Sequence, residues 1–560
     1  MNQQSKKMMI ILVIIFILMI AGGIYFTQNL KKSTSEKSYD KAVSFLDKYI
    51  KSIKVEEADL KKSTVALGET TLKDELPDIS DYPLTVEGKG DINIEIFSSP
   101  EKAGDDVDGW LNEVAKKFNQ SNQTVNGKKA TVSIRSIPSG TAIDYISSGK
   151  YVPEAFTPSN ELWIEMMKSQ KVSVTKIHDG IAPNTAGMLL SESTYDALQE
   201  KYGKVDLGVL VEATSNNEIA MGYTNPYASS TGMNFLISTL TYFDEQNPLS
   251  ANAISGFQKF QENVPFVSYI TMQMRTAAES GSLDAFILEY QTYANDSTLK
   301  RDYTFIPFGV RHDSPMYAVD ELDNEKQELL KLFTTYCTAT ESKELATEYG
   351  FYNNADYRGA TSDYDGRTLI DAQKLWKEEK DLGKPIIAVF VTDVSGSMSG
   401  TPLTQLKQSL INSMQYINNN NYIGLVSYST DVTINLPINE FNLNQKSYFN
   451  GAVESLFASG KTSTFDAIIV AADMLVKKQA EIPDSKLMMF VLSDGETNTG
   501  HSIEQASNVI KNLNIPIYTI GYNADIEALN QISSINEAAS INADSDDVIY
   551  QLKNLFNSNL

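Results

Sequence analysis

The chain has a single cysteine, Cys337, in 560 residues, and only three histidines, His178, His312 and His501. One thiol excludes an intrachain disulfide and a thiolate metal cluster within one chain. Histidines so far apart in sequence argue against a zinc site and against a histidine-based triad. Positive charge is also scarce: 47 Lys and Arg stand against 71 Asp and Glu, a formal charge of −24. That balance repels phosphate backbones and argues against nucleic acid as a partner. What remains is a large acidic chain, long enough for two or more domains.

The N-terminus carries a long apolar run. After the tail 1–7 comes "MMIILVIIFILMIAGGIYF", residues 8–26, uncharged throughout and long enough to cross a hydrocarbon core of about 30 Å as a helix. A cleaved signal peptide is the alternative, since Ala21, Gly22 and Gly23 are small, but the apolar run continues past them. We expect an uncleaved, single-pass membrane anchor. Lys6 and Lys7 precede it, whereas Lys31, Lys32, Lys37 and Lys41 follow. Charge therefore leaves the topology open.

Residues 27–88 are polar and lysine-rich, and read as a stalk or linker with one amphipathic stretch, "YDKAVSFLDKYIKSIKVEE". From "DINIEIFSS" onward, strand-like and helix-like segments alternate over 89–355. After a linker at 356–384 they alternate again over 385–560. This is the pattern of two α/β units.

In the second unit, "KPIIAVF" reads, after Lys384, as an uncharged, β-branched and aromatic strand that runs into "VTDVSGSMSG". A carboxylate is not tolerated in mid-sheet, so Asp393 must emerge at the strand's carboxyl end, where open α/β sheets take their ligands. Leu403, Leu406, Leu410, Met414 and Ile417 then follow helical spacing on one face. Strands "YIGLVSYS" and "VTINLPI", helices at "YFNGAVESLF" and "TFDAIIVAADMLVKK", strands "KLMMFVLSDG" and "PIYTIGY", and a last helix "VIYQLKNLF" complete a doubly wound sheet.

The strand ends of that unit carry Asp393, Ser395 and Ser397 in one loop, Thr462 in "SGKTSTFDA", and Asp494 in "LSDGE". All are hard oxygen ligands, suited to Mg²⁺, Mn²⁺ or Ca²⁺ and poorly suited to zinc. Alternation in Asp-x-Ser-x-Ser turns successive side chains of an extended loop to one side. Hydroxyls coordinate without cancelling charge, so an ion held mainly by them stays electrophilic and accepts a further carboxylate from a partner. Each piece alone reads as a polar turn or a helix N-cap. Their ordered coincidence at three ends of one sheet favours the metal reading.

On these residues the segment 385–560 resembles a von Willebrand factor type A (VWA) domain, a Rossmann-like fold, and its metal-ion-dependent adhesion site. The resemblance implies that Asp393, Ser395, Ser397, Thr462 and Asp494 surround a divalent cation, Mg²⁺ foremost, with Mn²⁺ or Ca²⁺ as alternatives. It also implies a protein partner that offers a carboxylate.

The first unit resembles an extracellular solute-binding protein, a two-lobed α/β fold of the periplasmic-binding-protein type. The resemblance rests on "INIEIFSSPEK", "GWLNEVAKKFNQ", "IPSGTAIDYISSGKYVPEAFTPSNELWIEMM", "NPYASSTGMNFL", "SGSLDAFILEYQ" and "ATEYGF", in that order. Ser98 and Ser99 end a strand, and Ser159, Asn160, Ser230 and Thr231 precede helices. Hydroxyls and free amides there suit a small polar or anionic solute, although helix capping explains each position taken singly. Glu289 and Tyr290 are candidates for the interlobe cleft, while Trp163 and Tyr227 suit a core.

Anchor, solute-binding-like module and adhesion module in this order resemble a group of bacterial surface proteins. The architecture implies a cell-membrane location with the two globular domains outside the cell. The expected function is cation-dependent binding of a partner, with a small-ligand receptor or transport-associated module as the alternative. No enzyme is expected: "GSMSG" lacks the Gly-x-Ser-x-Gly register and the few histidines offer no base.

Overall fold

The computed structural model describes residues 39–64, 76–264, 266–268, 283–352, 356–360, 364–382, 384–495, 497–513, 515–522, 540–543, 555, 556 and 560. The expected anchor at 8–26 lies outside them. Among the described residues, no helix is long and apolar enough to cross a membrane. The chain divides into two compact units, one built mainly from 67–384 and the other from the N-terminal stretch together with most of 385–545.

The stretch expected to be a stalk or linker contains regular structure within its described residues, 39–64 and 76–88. Helix α1 (39–49) buries Ala42 and Leu46, and strand β1 (Val55–Glu57) follows it. Both belong to the C-terminal unit. Further along, strand β2 (Leu84–Val86) joins a sheet of the middle unit. Amphipathic spacing marks a helix face but does not say what covers it.

The middle unit has two sheets. The first contains β2, β3 (Ile92–Ser98), β4 (Lys128–Ser136), β5 (Ala155–Thr157), β6 (Val174–His178) and, returning late in the chain, β12 (Met316–Val319), in the order β2-β4-β3-β5-β12-β6. Strands β4, β3 and β5 are parallel neighbours. Helix α2 (Trp110–Gln120) carries the chain from β3 to β4, and helix α3 (Ser139–Ser148) carries it back past β3 to β5. The chain thus reverses its winding between β3 and β5, the kind of position where an open sheet leaves a crevice.

The second sheet has the order β9-β8-β10-β7-β11. Its strands are β7 (Thr185–Ser191), β8 (Met221–Thr224), β9 (Phe266–Ser268), β10 (Ala285–Glu289) and β11 (Tyr303–Arg311). Helix α4 (Leu162–Ser169) follows β5, and helix α5 (Ser230–Phe243) follows β8. The expected linker 356–384 is largely part of this unit. Helix α6 (Gly366–Glu379) buries Leu369, Ala372 and Trp376 in its core, and the Trp376 Nε1 donates to the Tyr223 hydroxyl at 2.7 Å. Gly366 lies so close to the Glu165 carbonyl that a Cβ would meet it at 1.9 Å, so only glycine fits this crossing.

In the C-terminal unit, strands β13 (Ile386–Asp393), β14 (Tyr422–Tyr428), β15 (Val432–Glu440), β16 (Lys486–Ser493), β17 (Ile517–Tyr522) and β18 (Ser540–Ala543) form one sheet with β1, in the order β1-β15-β14-β13-β16-β17-β18. All eight residues of β13 are buried, the seven before Asp393 as their uncharged sequence predicts. Ile387, Val389 and Val391 join the core with Ala42 and Leu46 of α1. Phe390 faces the other way and stacks on Phe490, 5.1 Å between ring centres.

Helices Thr401–Ser413, Leu443–Ser455 and Thr464–Glu481 lie where periodicity places them, the first ending in a 3₁₀ turn at Met414–Tyr416. The last expected helix falls mostly outside the described residues. Winding reverses at β13, from which the chain goes to β14 on one side and later to β16 on the other. The crevice therefore opens at the carboxyl ends of β13 and β16.

Candidate functional site

In the C-terminal crevice, Asp393 closes β13 with no exposed surface. Its Oδ1 accepts the Ser395 amide at 2.8 Å, and its Oδ2 accepts the Ser493 hydroxyl at 2.7 Å. Ser397 Oγ donates to Asp494 Oδ1 at 3.0 Å, and Ser395 Oγ lies 3.0 Å from Ser397 Oγ. Because Ser397 has a single proton and gives it to Asp494, Ser395 is the donor between the two serines. Four of the five predicted ligands are thus joined in one hydrogen-bonded group.

Thr462 reaches the same edge by a different route. The Ser459 amide donates to the Val394 carbonyl at 2.8 Å and the Gly396 amide to the Gly460 carbonyl at 3.1 Å, so the two loops are stitched together. Gly460 turns there with φ +80°, where a Cβ is strained. The Thr462 side chain itself pairs with Asn498, whose Nδ2 donates to Thr462 Oγ1 at 3.4 Å. Asn498 Oδ1 accepts the Thr462 amide at 3.0 Å.

Burial, with the Asp494 charge adding to it, pushes the Asp393 carboxyl above its ordinary range, and burial does the same for Asp494. No cation of the chain pairs with either carboxylate among the described ion pairs. Tyr428, at the end of β14, faces Asp393, Ser493 and Thr464. Yet neither the Tyr428 hydroxyl nor Thr464 Oγ1, both buried, completes a hydrogen bond. Two carboxylates raised by burial, ringed by hydroxyls of which two lack partners, form a hard-oxygen donor set that fits a divalent cation. Among the described residues, no three His, Cys, Asp or Glu side chains gather into a metal cluster; here hydroxyls supply most of the donors. Ser493, Asn498, Tyr428 and Thr464 were not singled out from sequence, because none stands in the Asp-x-Ser-x-Ser pattern.

In the middle unit the crevice lies at the carboxyl ends of β3 and β5. Ser99 follows β3, and its hydroxyl donates to Glu101 Oε1 at 2.5 Å. Ser159 follows β5, and its hydroxyl donates to the same oxygen at 2.9 Å. Lys102 Nζ donates to that oxygen at 3.1 Å and also bonds Ser99 Oγ. The Lys102 side chain is fully buried and that of Glu101 is 15 % exposed. Burial pushes the Glu101 carboxyl up, but the Lys102 charge and the Ser99 hydroxyl outweigh it and hold the group below its ordinary range. Ser98 Oγ donates to the Ser99 carbonyl at 3.4 Å.

Ser230 and Thr231 belong to a second group. Ser230 Oγ accepts Trp163 Nε1 at 2.8 Å, and Thr231 Oγ1 donates to Glu289 Oε1 at 3.3 Å. Glu289 also takes Asn184 Nδ2 at 2.6 Å and meets His312 Nδ1 at 2.9 Å. The far nitrogen of His312, Nε2, lies 3.0 Å from Asn160 Nδ2 and 3.1 Å from Asn234 Nδ2. Backbone amides of Leu162 and Val310 occupy the oxygens of those two side chains, so both present N–H to the ring. His312 therefore carries its proton on Nδ1 and donates it to Glu289. Glu101, Lys102, His312 and Asn234 escaped the sequence reading, because adjacent opposite charges and a lone histidine look like surface until the chain closes over them.

A family model for the von Willebrand factor type A domain matches residues 388–557, and one for bacterial extracellular solute-binding protein matches 103–352. The chain joins a solute-binding domain to a VWA domain. Inter-alpha-trypsin inhibitor heavy chain H3 of Mus musculus is 29% identical over 154 residues, which cover 25% of this chain and 17% of that protein. The Bos taurus protein of the same name is 30% identical over the same length and share. The chain thus spans less than a fifth of these curated relatives. Among solved structures, iron-bound HitA from Pseudomonas aeruginosa is similar at 12% identity over 52% of this chain and 99% of that chain, TM-score 0.37. A von Willebrand factor type A structure from Catenulispora acidiphila is similar at 14% identity over 31% of this chain and 42% of that chain, TM-score 0.29.

Proposed function

We propose that the chain is a bacterial, membrane-anchored surface protein whose VWA domain holds a divalent cation and, through it, a carboxylate of a protein partner. The observation that carries this reading is the hydrogen-bonded group of Asp393, Ser395, Ser397 and Asp494, which contains two carboxylates and no cation of its own. When bound, the cation supplies an electrophilic point at which an outside carboxylate completes the oxygen shell. Asp393 and Asp494 would hold it with Ser395, Ser397 and Thr462, and Ser493 would keep the Asp393 carboxylate turned into the crevice. Mg²⁺ suits this set best, with Mn²⁺ or Ca²⁺ as alternatives. The uncharged run at 8–26 supports the anchor, and the solute-binding module supports an extracellular placement of both domains.

The test uses the full-length chain in detergent as bait on envelope extracts, with Mg²⁺ or Mn²⁺, with EDTA, and with Asp393→Ala. We expect a partner held only by the parent chain with metal; capture that ignores metal and Asp393 would sink the reading. The matched solute-binding segment favours a second role for the middle unit, capture of a small ligand. Native mass spectrometry of the intact chain is expected to reveal a bound small molecule.

A further inference from the structure

The Ser99 and Ser159 hydroxyls and the Lys102 ammonium converge on one oxygen, Oε1 of Glu101. They stand where β3 and β5 end side by side, at the winding reversal where such sheets receive ligands. Beyond neighbouring β4, at the first residue of α3, Ser139 Oγ is buried and has no hydrogen-bond partner among the described residues. Two hydroxyls and a buried ammonium on one oxygen form a receptor for an oxyanion, and the chain's own carboxylate is the anion in it. We propose that Glu101 fills an oxyanion subsite of the middle unit as a tethered anion, and so decides its specificity by shutting out free oxyanions. The proposal rests on the reading of the middle unit as a solute-binding module.

The physical case turns on Lys102. A fully buried ammonium is tolerated only when paired, and Glu101 is the acidic partner it has here. A carboxylate on the adjacent residue acts at an effective concentration on the order of millimolar or above, so a free anion competes poorly while Glu101 is present. Truncating the Glu101 side chain leaves Lys102, Ser99 and Ser159 facing a vacancy of carboxylate size. An external sulfate, phosphate or acetate then becomes the cheapest way to neutralise the ammonium.

The experiment measures binding of sulfate, inorganic phosphate and acetate to the full-length chain by calorimetry and by shift of the unfolding temperature. It compares the parent, Glu101→Ala, Glu101→Ser and Glu101→Ala with Lys102→Met. Glu101→Ser, polar but too short to refill the subsite, serves should the alanine variant fail to fold. We expect both single variants to bind at least one of these anions at least about tenfold more tightly than the parent, and the double variant to lose that gain. Equal anion binding by the parent would overturn the proposal and leave the module a solute binder. Absence of anion binding in both single variants would also overturn it, and the small molecule sought by native mass spectrometry would then judge the module separately.

Discussion

The two crevices have the same topological origin and opposite electrostatics. Each opens where parallel strands end and the winding reverses, between β13 and β16 in one unit and between β3 and β5 in the other. At the first, Asp393 and Asp494 accept from hydroxyls and an amide and pair with no cation among the described residues, and burial raises both carboxyls. At the second, Glu101 has Lys102 beside it and is lowered. An unpaired buried carboxylate calls for a cation from outside, whereas a paired one satisfies itself. A shared fold position thus offers a crevice, and the sign of the neighbouring charge decides whether it waits for a ligand.

The sharpest way to break this contrast is Asp393→Ala. We expect divalent-ion affinity of the full-length chain, measured by calorimetry, to fall at least about 100-fold, roughly 3 kcal/mol. Unchanged affinity would mean that the crevice does not hold the ion.

Lys102→Met attacks the other side. It strands Glu101, and breaking a buried pair from one end costs about 3–5 kcal/mol. Replacing both partners with apolar residues, Glu101→Leu with Lys102→Met, is expected to recover most of that loss in denaturant unfolding. Equal destabilisation by the single and the double variant would show that the pair does not act as a unit.

Leu46→Ala tests whether the N-terminal stretch belongs to the C-terminal unit. Leu46 is 2 % exposed in the core that includes Val389 and Ile468. Its truncation is expected to destabilise that unit by about 2–4 kcal/mol. A loss below about 0.5 kcal/mol in thermal unfolding would return residues 39–64 to the role of a free stalk.

The smallest effect is one of sign with pH. A carboxyl raised in the folded state binds its proton more tightly folded than unfolded. The ion-free C-terminal unit therefore loses stability as pH rises from the ordinary aspartate range through the raised values of Asp393 and Asp494. Asp393→Asn is expected to flatten that fall. Glu101 is lowered, so its contribution is complete above the ordinary glutamate range and is lost as pH falls through its folded value. Glu101→Gln should flatten that opposite slope. Calorimetric scans across the acid range distinguish the two, and slopes of the same sign would contradict the contrast.

Much of the C-terminal unit was legible because its signals are local. An uncharged strand that ends in aspartate must place that carboxylate at the sheet edge, and Asp-x-Ser-x-Ser turns its side chains to one side within five residues. Strand β1 was not legible. Val55–Glu57 is a three-residue edge strand with two exposed glutamates, and its partner, Val432–Ile434, lies far along the chain. The linker at 356–384 hid helix α6 for a similar reason, since Trp376 needs Tyr223 beside it before its burial makes sense. Among the proposed solute residues, Ser99 and Ser159 share Glu101 Oε1 as their acceptor, whereas Ser230 and Thr231 serve Trp163 and Glu289.

The order of residues alone determined the acidic surface, the two α/β units and the set of hard oxygen donors at Asp393, Ser395, Ser397, Thr462 and Asp494, because composition, periodicity and short-range spacing are properties of neighbouring residues. Only the tertiary structure decided which carboxylate stays without a counter-charge and which is already matched. Glu101 and Lys102 are neighbours in the sequence, but only the fold buries them together and brings Ser159, from the loop after β5, onto the same carboxylate oxygen, where little water is left to screen the pair.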